Sequence, residues 1–387
     1  MRKVYADNCS TAFPKAPGVS EAMKDFLDKT GCNVNRGGYN DSYDVAGEIL
    51  EVRGMLARFF HVTNPQEVIF TPSVTYSLNM LLLGYLHEGD HVITTSMEHN
   101  SVMRPLHVLS QRGVAYDTVP CDLEGYMHPK DILPLIKSNT KAVVMIHASN
   151  VCGTVLPLEE VAEICRKHGL RLLVDTAQTA GIIDIDAGII DGLAFAGHKG
   201  FFGPQGIGGL VIKKDFAEEV APLITGGTGS LSHGIEQPGF LPDKYESGTM
   251  NIPAILGLKK ALQFVNTTGI DTIYDWEMQL AEAFMEQTKA LAGVRLIGKK
   301  GRQGRVAVVS LDFADLDHGA IADVLDRHYG IMTRCGLHCA PIAHKSLHTY
   351  PKGTVRFSFG FGNTMDEVGY MVRSLDEIVK KGADYGF

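Results

Sequence analysis

The feature that most constrains the fold is an alternation of short apolar runs with amphipathic stretches in the first half of the chain. The apolar runs are rich in Val and Ile, which is typical of buried strands, and the stretches between them have helical periodicity. The predicted strands are Glu67–Thr71, His91–Ser96, Lys141–Ala148, Arg171–Asp175 and Leu193–Gly197, and the predicted helices are Tyr76–Leu86, Ser101–Gln111, Pro129–Ser138 and Leu158–His168. This order predicts a parallel or mostly parallel sheet with helices packed on its faces.

The alternation breaks after Val211, where a different organisation begins. Residues Thr225–Ser247 are rich in Gly, Ser and Pro, which predicts a long loop, and long loops in compact domains are often functional. The remaining sequence mixes strands and helices in the manner of a smaller α+β domain. We therefore expect a large domain over residues 15–255 and a small domain made of residues 1–14 and 256–387.

Composition and charge exclude several classes of function. With 36 basic and 44 acidic side chains the net charge is −8, and no block of Lys or Arg occurs. We therefore expect neither a nucleic-acid surface nor an anionic-membrane surface. The longest apolar runs are far shorter than the ~20 residues that a membrane helix needs. No apolar stretch follows Arg2 and Lys3, and the seven cysteines are scattered, so we expect reduced thiols and a cytoplasmic protein.

Polar side chains follow the predicted strands at the point where each strand ends. Ligands of open α/β sheets bind outside the carboxyl ends of the strands, so these side chains are candidates for one shared site. A surface turn explains any one of them more simply, but it explains the whole set less well. The set comprises Thr75, His99, Asn150, Asp175, Gln178, His198 and Lys199.

The position of Lys199 narrows the chemistry of this site. A lysine directly after an apolar strand is poorly solvated, so its amine can lose its proton and attack an aldehyde. An aspartate that ends an earlier strand, here Asp175, suits a pyridinium nitrogen, and pyridoxal phosphate needs both groups. Residues Ser73–Thr75 lie between a strand and a helix, where the helix N-terminus and hydroxyl groups can bind the phosphate.

Six segments carry a resemblance that covers nearly the whole chain, from Tyr5 to Ser358. They are Met97–Asn100, Ser149–Thr154, Val174–Gln178, Ala196–Lys199, Gly203–Gly208 and Glu246–Asn251. In order and spacing they resemble the class V aminotransferase superfamily and, within it, the cysteine desulfurases and selenocysteine lyases. The resemblance implies the pyridoxal phosphate-dependent fold type I, with a mostly parallel seven-stranded sheet in the large domain and a smaller α+β domain.

The same resemblance implies which residues would hold the cofactor ring. Lys199 would bind the cofactor covalently, Asp175 would pair with the ring nitrogen, and Gln178 would contact the phenolic oxygen. His99 would stack on the ring face and take part in catalysis. Asn150 would lie near both the phenolic oxygen and the substrate.

At the phosphate end, the resemblance implies contacts from Thr75 and His198 and, across a homodimer interface, from Thr249 of the partner subunit. Two positions depart from the family pattern. Val74 stands in the phosphate loop where the family usually has Thr, and Ala196 stands where it often has Ser. Two hydroxyl donors are thus missing, so either phosphate affinity is lower or Ser73 and backbone amides compensate.

The segment Arg334–Pro341 distinguishes between reactions within the family. It resembles the desulfurase segment in which a cysteine follows Arg-x-Gly-His-His, so the matching thiol is Cys339, and Leu337 replaces the first His. Nearby His338 and Arg356 would favour the reactive thiolate, and Arg356 would also clamp the substrate carboxylate. The resemblance implies a cysteine desulfurase, which converts L-cysteine to L-alanine and leaves the sulfur on Cys339 as a persulfide.

Three alternatives remain open from the sequence. A selenocysteine lyase, which would release selenide from L-selenocysteine, shares nearly the whole site. A class V aminotransferase or carbon–sulfur lyase would use the same cofactor without the thiol. A degenerate, non-catalytic homologue is the third alternative, and the intact Lys199, Asp175 and Arg356 argue against it. We expect a small-molecule substrate, cysteine or selenocysteine, together with a sulfur-acceptor protein in the desulfurase case.

Two patterns that suggest a metal site do not hold up. The segment His87–His91 matches H-E-x-x-H, but Gly89 and Asp90 end a helix and open a strand, so the two histidines do not share a helix face. The cysteines and histidines between residues 335 and 348 lack the paired spacing of a structural zinc site. We therefore expect no metal.

Overall fold

The computed structural model describes residues 2–34, 37–230, 233–314 and 316–380, so the last residues of the expected small domain lie outside it. Its strands are β1 (Val4–Tyr5), β2 (Val68–Thr71), β3 (His91–Thr95), β4 (Ala115–Val119), β5 (Thr140–Ile146), β6 (Arg171–Asp175), β7 (Gly192–Ala196), β8 (Gly208–Ile212), β9 (Val294–Ile297), β10 (Val308–Phe313), β11 (Ile331–Met332), β12 (Arg334–Gly336) and β13 (Thr354–Ser358). Its α-helices are α1 (Val19–Asp25), α2 (Asn40–Phe59), α3 (Val74–Tyr85), α4 (Asn100–Ser110), α5 (Leu158–His168), α6 (Lys214–Glu219), α7 (Ile252–Thr268), α8 (Ile270–Thr288), α9 (His318–Tyr329), α10 (Pro341–Ser346) and α11 (Met365–Lys380).

The central sheet has seven strands in the order β2-β8-β7-β6-β5-β3-β4, and β8 alone runs against its neighbours. The expectation of a mostly parallel seven-stranded sheet is thus confirmed. Most of these strands are buried along their whole length, because helices cover both faces. The sequence analysis did not identify β4 and β8. Strand β4 is only partly buried at the sheet edge and lacks an apolar run, and β8 begins with two glycines.

The helices that follow the strands agree with the predicted ones to within two residues, with one exception. The predicted helix Pro129–Ser138 is wrong, because this segment forms a 3₁₀ helix over Pro129–Leu135. Pro134 lies inside it and has no N–H to donate to an α-helical hydrogen bond. The neighbouring helices pack their apolar sides on the sheet and leave the carboxyl edge of the strands open.

Strands between residues 294 and 358 form a smaller antiparallel sheet in the order β12-β13-β10-β9. The N-terminal strand β1 pairs with β11, so the first residues pack beside the last third of the chain. Helix α8 buries Leu280, Ala281 and Phe284 against this sheet. The domain boundary near residue 255 stays a prediction. Among the described helices, none is long and apolar enough to cross a membrane.

Strand register places the chemistry-bearing residues side by side. Ile146 at the end of β5 lies opposite Asp175 at the end of β6, and Asp175 lies opposite Ala194 of β7. The carboxyl ends of three parallel strands therefore meet at one edge. Each strand continues there into a turn that carries polar side chains.

A buried ion pair anchors the end of the long Gly- and Ser-rich loop to the sheet. Arg53 on α2 forms a bidentate pair with Glu246, and the two side chains are only 6% and 7% exposed. Glu246 Oε1 also accepts the backbone N–H of Phe70 at 2.6 Å, and the guanidinium lies 4.5 Å from the centre of the Phe70 ring. The segment that leads to Thr249 is therefore held against β2.

This anchor generates the first prediction. Arg53→Met should lower the free energy of unfolding by about 3–5 kcal/mol, because it leaves the Glu246 carboxylate buried without its counter-charge. Denaturant unfolding at one fixed protein concentration measures the change. The double variant Arg53→Met/Glu246→Leu should lose less stability than Arg53→Met alone. Lys24→Ala, which removes an exposed ion pair to Asp28, is the control and should change stability little. A loss no larger than that of the control would contradict the prediction.

Candidate active site

A cavity opens at the carboxyl edge of the central sheet, between the large sheet and strands β12 and β13. All of the predicted site residues except Cys339 and Thr249 line it. Those that do are Val74, Thr75, His99, Asn150, Asp175, Gln178, His198, Lys199 and Arg356. A groove of about 880 Å³ on the side of Arg171, at the start of β6, contains none of them. No group of three or more potential metal ligands occurs among the described residues.

The amine of Lys199 is held in surroundings that disfavour its charge. Burial lowers the pKa of Lys199, and the nearby guanidiniums of Arg356 and Arg334 act in the same direction, while Asp175 opposes them. Burial in turn raises the pKa of Asp175, although its Oδ1 accepts the N–H of Ala177 at 2.9 Å. The pair therefore offers a nucleophilic amine next to a carboxyl group with no access to bulk water.

One end of the cavity is suited to an anion. Helix α3 begins there, and its N-cap Ser73 accepts the N–H of Tyr76 at 3.2 Å. The other backbone N–H groups of the first turn have no partner within the helix, so they can donate to a bound phosphate together with the Thr75 hydroxyl. His198 lies on the same side, with Nδ1 3.1 Å from Thr11 Oγ1. Burial lowers the pKa of His198 to about 4, so the ring is neutral at neutral pH.

His99 is fixed at the start of α4 as the N-cap residue. Its Nδ1 accepts the backbone N–H of Ser101 at 3.1 Å. The ring forms part of the cavity wall, and burial, followed by the charge of Lys199, lowers its pKa to about 4. His99 is therefore neutral over the physiological pH range and can donate or accept a proton.

At the opposite end, the buried guanidinium of Arg356 on β13 has one edge held by the protein. Nη1 donates to Asn150 O at 3.0 Å, and Nη2 donates to Asp7 Oδ1 and Ser10 Oγ, both at 2.8 Å. Within the described residues, Arg356 Nε and Asn150 Oδ1 are buried without a hydrogen-bond partner. Unpaired buried polar atoms cost free energy, so their presence in one cavity indicates a place for a polar ligand.

Cys339 lies at the rim of this cavity rather than in its wall. The thiol is exposed, and Arg334 Nη2 donates to Sγ at 3.2 Å. The backbone of the loop is constrained, because Asn100 N–H donates to Cys339 O at 2.8 Å. His338 and Cys339 also have positive φ angles of 47° and 59°, which non-glycine residues adopt rarely and often at functional sites.

The residues that line the cavity differ from the predicted set in both directions. Thr249 was predicted, but it is exposed and does not line the cavity. Cys9, Ser10, Ser101 and Arg334 do line it. Arg334 belongs to the segment that resembles the desulfurases, and Ser101 lies two residues after His99, so both carried a usable signal. Cys9 and Ser10 come from the N-terminal segment, where only the likeness near Tyr5 pointed to the site.

Three comparisons identify what the chain is similar to. The family model described as "Aminotransferase class-V" matches residues 4–371. A probable cysteine desulfurase from Methanothermobacter thermautotrophicus is 32% identical over 387 residues, covering 98% of this chain and 95% of the relative. A cysteine desulfurase from Salmonella choleraesuis is 30% identical over 385 residues, covering 97% of this chain and 93% of the relative.

The fold comparison agrees with the sequence comparison. The apo structure of a cysteine desulfurase from Thermococcus onnurineus NA1 superposes with a TM-score of 0.91 at 32% identity, covering 98% of this chain and 95% of that one. The cysteine desulfurase CsdA from Escherichia coli, in an S-sulfonic acid form, gives a TM-score of 0.87 at 28% identity with the same coverage. The chain therefore belongs to the class V aminotransferase family. The relatives reported above are cysteine desulfurases or probable cysteine desulfurases, as the motifs of the chain predicted.

The environment of the thiols leads to a second prediction. Cys335 and Cys339 are both exposed and should react with iodoacetamide before the buried cysteines do. Arg334→Met should slow the alkylation of Cys339, because the guanidinium that stabilises negative charge on Sγ is lost. Cys335 points to the opposite face of β12 from Arg334 and serves as the internal control. Peptide mass mapping over a time course gives both rates, and equal slowing of both thiols, or of neither, would refute the prediction.

Proposed function

We propose that this protein is a pyridoxal phosphate-dependent cysteine desulfurase that transfers the sulfur of L-cysteine to Cys339. The observation that carries the proposal is one cavity that combines a desolvated lysine, a carboxylate clamp and, at its rim, a guanidinium-bound thiol. Those groups are Lys199, Arg356 and Cys339 with Arg334. A transaminase needs no thiol at this rim, so the arrangement favours sulfur chemistry.

The donor set fits pyridoxal phosphate, on which enzymes of this family depend. The cofactor needs an amine for its aldehyde, an acid for its ring nitrogen and donors for its phosphate. Lys199 and Asp175 would supply the first two, and the start of α3 with Thr75 and His198 would supply the third. Buried Asn150 Oδ1 lacks a partner among the described residues, as expected of an atom that awaits a polar ligand. Val74 and Ala196 supply no hydroxyl, and the N-terminus of α3 offers backbone donors in their place.

When bound, pyridoxal phosphate would supply an aldehyde for the substrate amine and a ring that withdraws electrons from the substrate Cα. The protein residues would supply positioning and proton transfer. Gln178 would bind the phenolic oxygen, and His99 would pack on the ring face. The Asp175 carboxylate would hold the proton of the ring nitrogen, because a buried negative charge stabilises a positive charge placed beside it.

The substrate would be oriented by its carboxylate. Arg356 has an unpaired Nε–H in the cavity, and its Nη2 is shared with the neutral hydroxyl of Ser10. A carboxylate can displace the hydroxyl and take the Nε and Nη2 donors as a bidentate pair, because charge-assisted hydrogen bonds are roughly twice as strong as neutral ones. This contact would fix the substrate with Cα near Lys199 Nζ.

Lys199 and Cys339 would then carry out the two reaction steps that involve the protein. Once the substrate amine has displaced it, the free Lys199 Nζ, kept neutral by its surroundings, would accept the α-proton. The Cys339 thiolate would attack the substrate sulfur, so that a Sγ–S bond forms and the Cβ–S bond breaks. The products balance as alanine and a persulfide on Cys339, and the guanidinium of Arg334 would stabilise the sulfur anion on either side of the step.

Three further properties belong to the same proposal. The exposed position of Cys339 suits delivery of sulfur to an acceptor protein. Thr249 is exposed beyond the anchor at Glu246, which suits a contact with the phosphate site of a partner subunit in a homodimer. All seven cysteines are free, which supports a reducing compartment such as the cytoplasm.

The cofactor assignment gives a third prediction. Borohydride treatment of the protein purified with pyridoxal phosphate should fix the cofactor on the peptide that contains Lys199. Lys199→Ala should lose this covalent product and the turnover of cysteine, because no other amine is assigned to the aldehyde. Mass mapping of the reduced protein checks the position. Lys214→Ala, at the exposed start of α6, should behave as the wild type. A cofactor adduct retained in Lys199→Ala would exclude the assignment.

The role of the thiol gives a fourth prediction, which tests the proposed function. Wild-type protein treated with cysteine should gain one sulfur on Cys339, detected by mass, and should release alanine. Cys339→Ala should still bind cofactor and cysteine, because the side chain of residue 339 lies outside the cavity wall. Sulfide release should nevertheless fall by ~10²-fold or more, because the attacking thiol is absent. Cys335→Ala should keep nearly full activity.

The same assay distinguishes the related reactions. Parallel measurement of selenide release from selenocysteine tests the lyase alternative, since the weaker C–Se bond can break without a protein nucleophile. Selenide release that survives in Cys339→Ala beside negligible cysteine turnover in the wild type would favour a selenocysteine lyase. Added sulfur on Cys335, or full sulfide release in Cys339→Ala, would overturn the role of Cys339.

A further inference from the structure

A chain of buried hydrogen bonds fixes the ring of His338, the residue that precedes Cys339. Ser310 Oγ donates to Val151 O at 2.6 Å, and because a carbonyl oxygen can only accept, the single hydroxyl proton of Ser310 is used there. Thr354 Oγ1 lies 3.1 Å from Ser310 Oγ and must therefore donate to it. With its own proton used in this way, Thr354 can only accept from His338 Nε2, which is 2.9 Å away.

These contacts define the protonation of the ring. The proton of the neutral imidazole is on Nε2, so Nδ1 keeps its lone pair. The charged and titratable groups that face the ring are Arg356 on β13, His344 on α10 and Arg334 on β12. Burial, followed by these neighbours, lowers the pKa of His338 well below its ordinary value. The ring is therefore neutral at physiological pH.

The free lone pair of His338 belongs to the active cavity. The side chain lines that cavity, and among the described residues its Nδ1 is buried without a hydrogen-bond partner. Asn150 Nδ2 donates to His338 O at 2.8 Å, so the backbone of the residue is also tied to the cavity wall. The unpartnered Arg356 Nε is a donor that suits a carboxylate, whereas His338 Nδ1 and Asn150 Oδ1 are acceptors. The cavity therefore suits a ligand that carries a proton donor as well as a carboxylate.

A cysteine bound as the proposed function requires has one donor to spare. Its carboxylate accepts from Arg356 and its amine is engaged by the cofactor, so the thiol is the remaining donor. A sulfur atom within reach of Cys339 lies beside the turn between β12 and α10, which also carries His338. We propose that His338 Nδ1 accepts the proton of the substrate thiol while Cys339 attacks the sulfur. This catalytic role rests on the proposed function, but the tautomer of His338 does not.

The proton transfer completes the balance of the sulfur step. The Sγ–S bond forms, the Cβ–S bond breaks with its electron pair left on the carbon side, and the S–H proton passes to His338 Nδ1. The persulfide is left as an anion beside Arg334, and Cβ takes up one proton to become the methyl group of alanine. A weakly basic imidazole suits this order, because it leaves the substrate thiol protonated until the S–S bond forms. A substrate thiolate formed earlier would repel the thiolate of Cys339.

Nitrogen-15 NMR of the histidine-labelled full chain, prepared without cofactor, tests the tautomer. The chemical shift of a ring nitrogen reports whether it carries a proton, and His338→Gln identifies the signals of His338. At neutral pH, Nε2 should carry the proton and Nδ1 should not. Thr354→Val, which removes the acceptor of Nε2–H, should shift the Nε2 signal, and Thr354→Ser, which restores the hydroxyl, should keep the wild-type pattern. A proton on Nδ1 in the wild type would overturn the proposal.

Turnover by the loaded enzyme tests the proton transfer. His338→Gln keeps an N–H group for Thr354 Oγ1 but has no counterpart of Nδ1. Its kcat for cysteine should fall by ~10²-fold with little change in KM. Selenocysteine is the matched substrate, because a selenol is much more acidic than a thiol and is already ionised at neutral pH. With no proton to remove from selenium, any selenide release by the wild type should fall by a much smaller factor in His338→Gln.

A control variant and a second variant separate this role from a structural one. Thr140→Val removes a hydroxyl that lies 2.8 Å from Nδ1 of another buried histidine, His91, at the opposite edge of the central sheet, and it should leave kcat unchanged. If His338→Gln does not fold, Thr354→Val carries the same test, with Thr354→Ser as its rescue. Undiminished cysteine turnover in His338→Gln, or an equal loss with both substrates, would overturn the proposal. Absence of cysteine turnover in the wild type would instead refute the proposed function and leave the NMR result standing.

Discussion

The parallel register of β5, β6 and β7 is the constraint on which the site depends. It fixes Ile146, Asp175 and Ala194 side by side, so the turns that follow these strands must meet at one buried edge. Polar groups held there lose water, and the perturbed pKa values follow from that loss. Glu98 shows how large the effect of lost water is. Full burial raises the pKa of this carboxyl group to about 8, although Thr95 Oγ1 and Ile146 N–H both donate hydrogen bonds to it.

Local sequence predicted the buried strands well, because each was an apolar run bounded by turn residues. It failed where local and tertiary preferences differ. Strand β8 begins Gly208-Gly209 and is stabilised by pairing with β2 and β7 on its two sides, which no short window can reveal. The segment Pro129–Leu135 has a helical apolar pattern, but Pro134 prevents an α-helix.

The sequence predicted those residues of the candidate site that lie next to the strands of the central sheet, and it missed those that reach the cavity from distant parts of the chain. Lys199, Asp175 and His99 follow strands of one sheet, so the topology of that sheet was enough to bring them together. Arg334 and Ser10 reach the cavity only because the N-terminal segment packs beside β12 and β13, through Asp7 and Arg356. That packing depends on contacts between residues more than 300 positions apart, and only a family likeness could anticipate them.

Charge balance connects the proposed substrate clamp to the thiol. The buried guanidinium of Arg356 requires a counter-charge, which Asp7 supplies through Nη2. In the proposed function a substrate carboxylate would add a second negative charge. Arg334 is a further cation at this place, because its Nη1 donates to the same Ser10 hydroxyl at 3.3 Å. The other arm of that guanidinium contacts Cys339 Sγ. Binding of the substrate carboxylate and formation of the sulfur anion would therefore draw on one shared cation, since the proposed clamp and the thiol lie within a single hydrogen-bonded network.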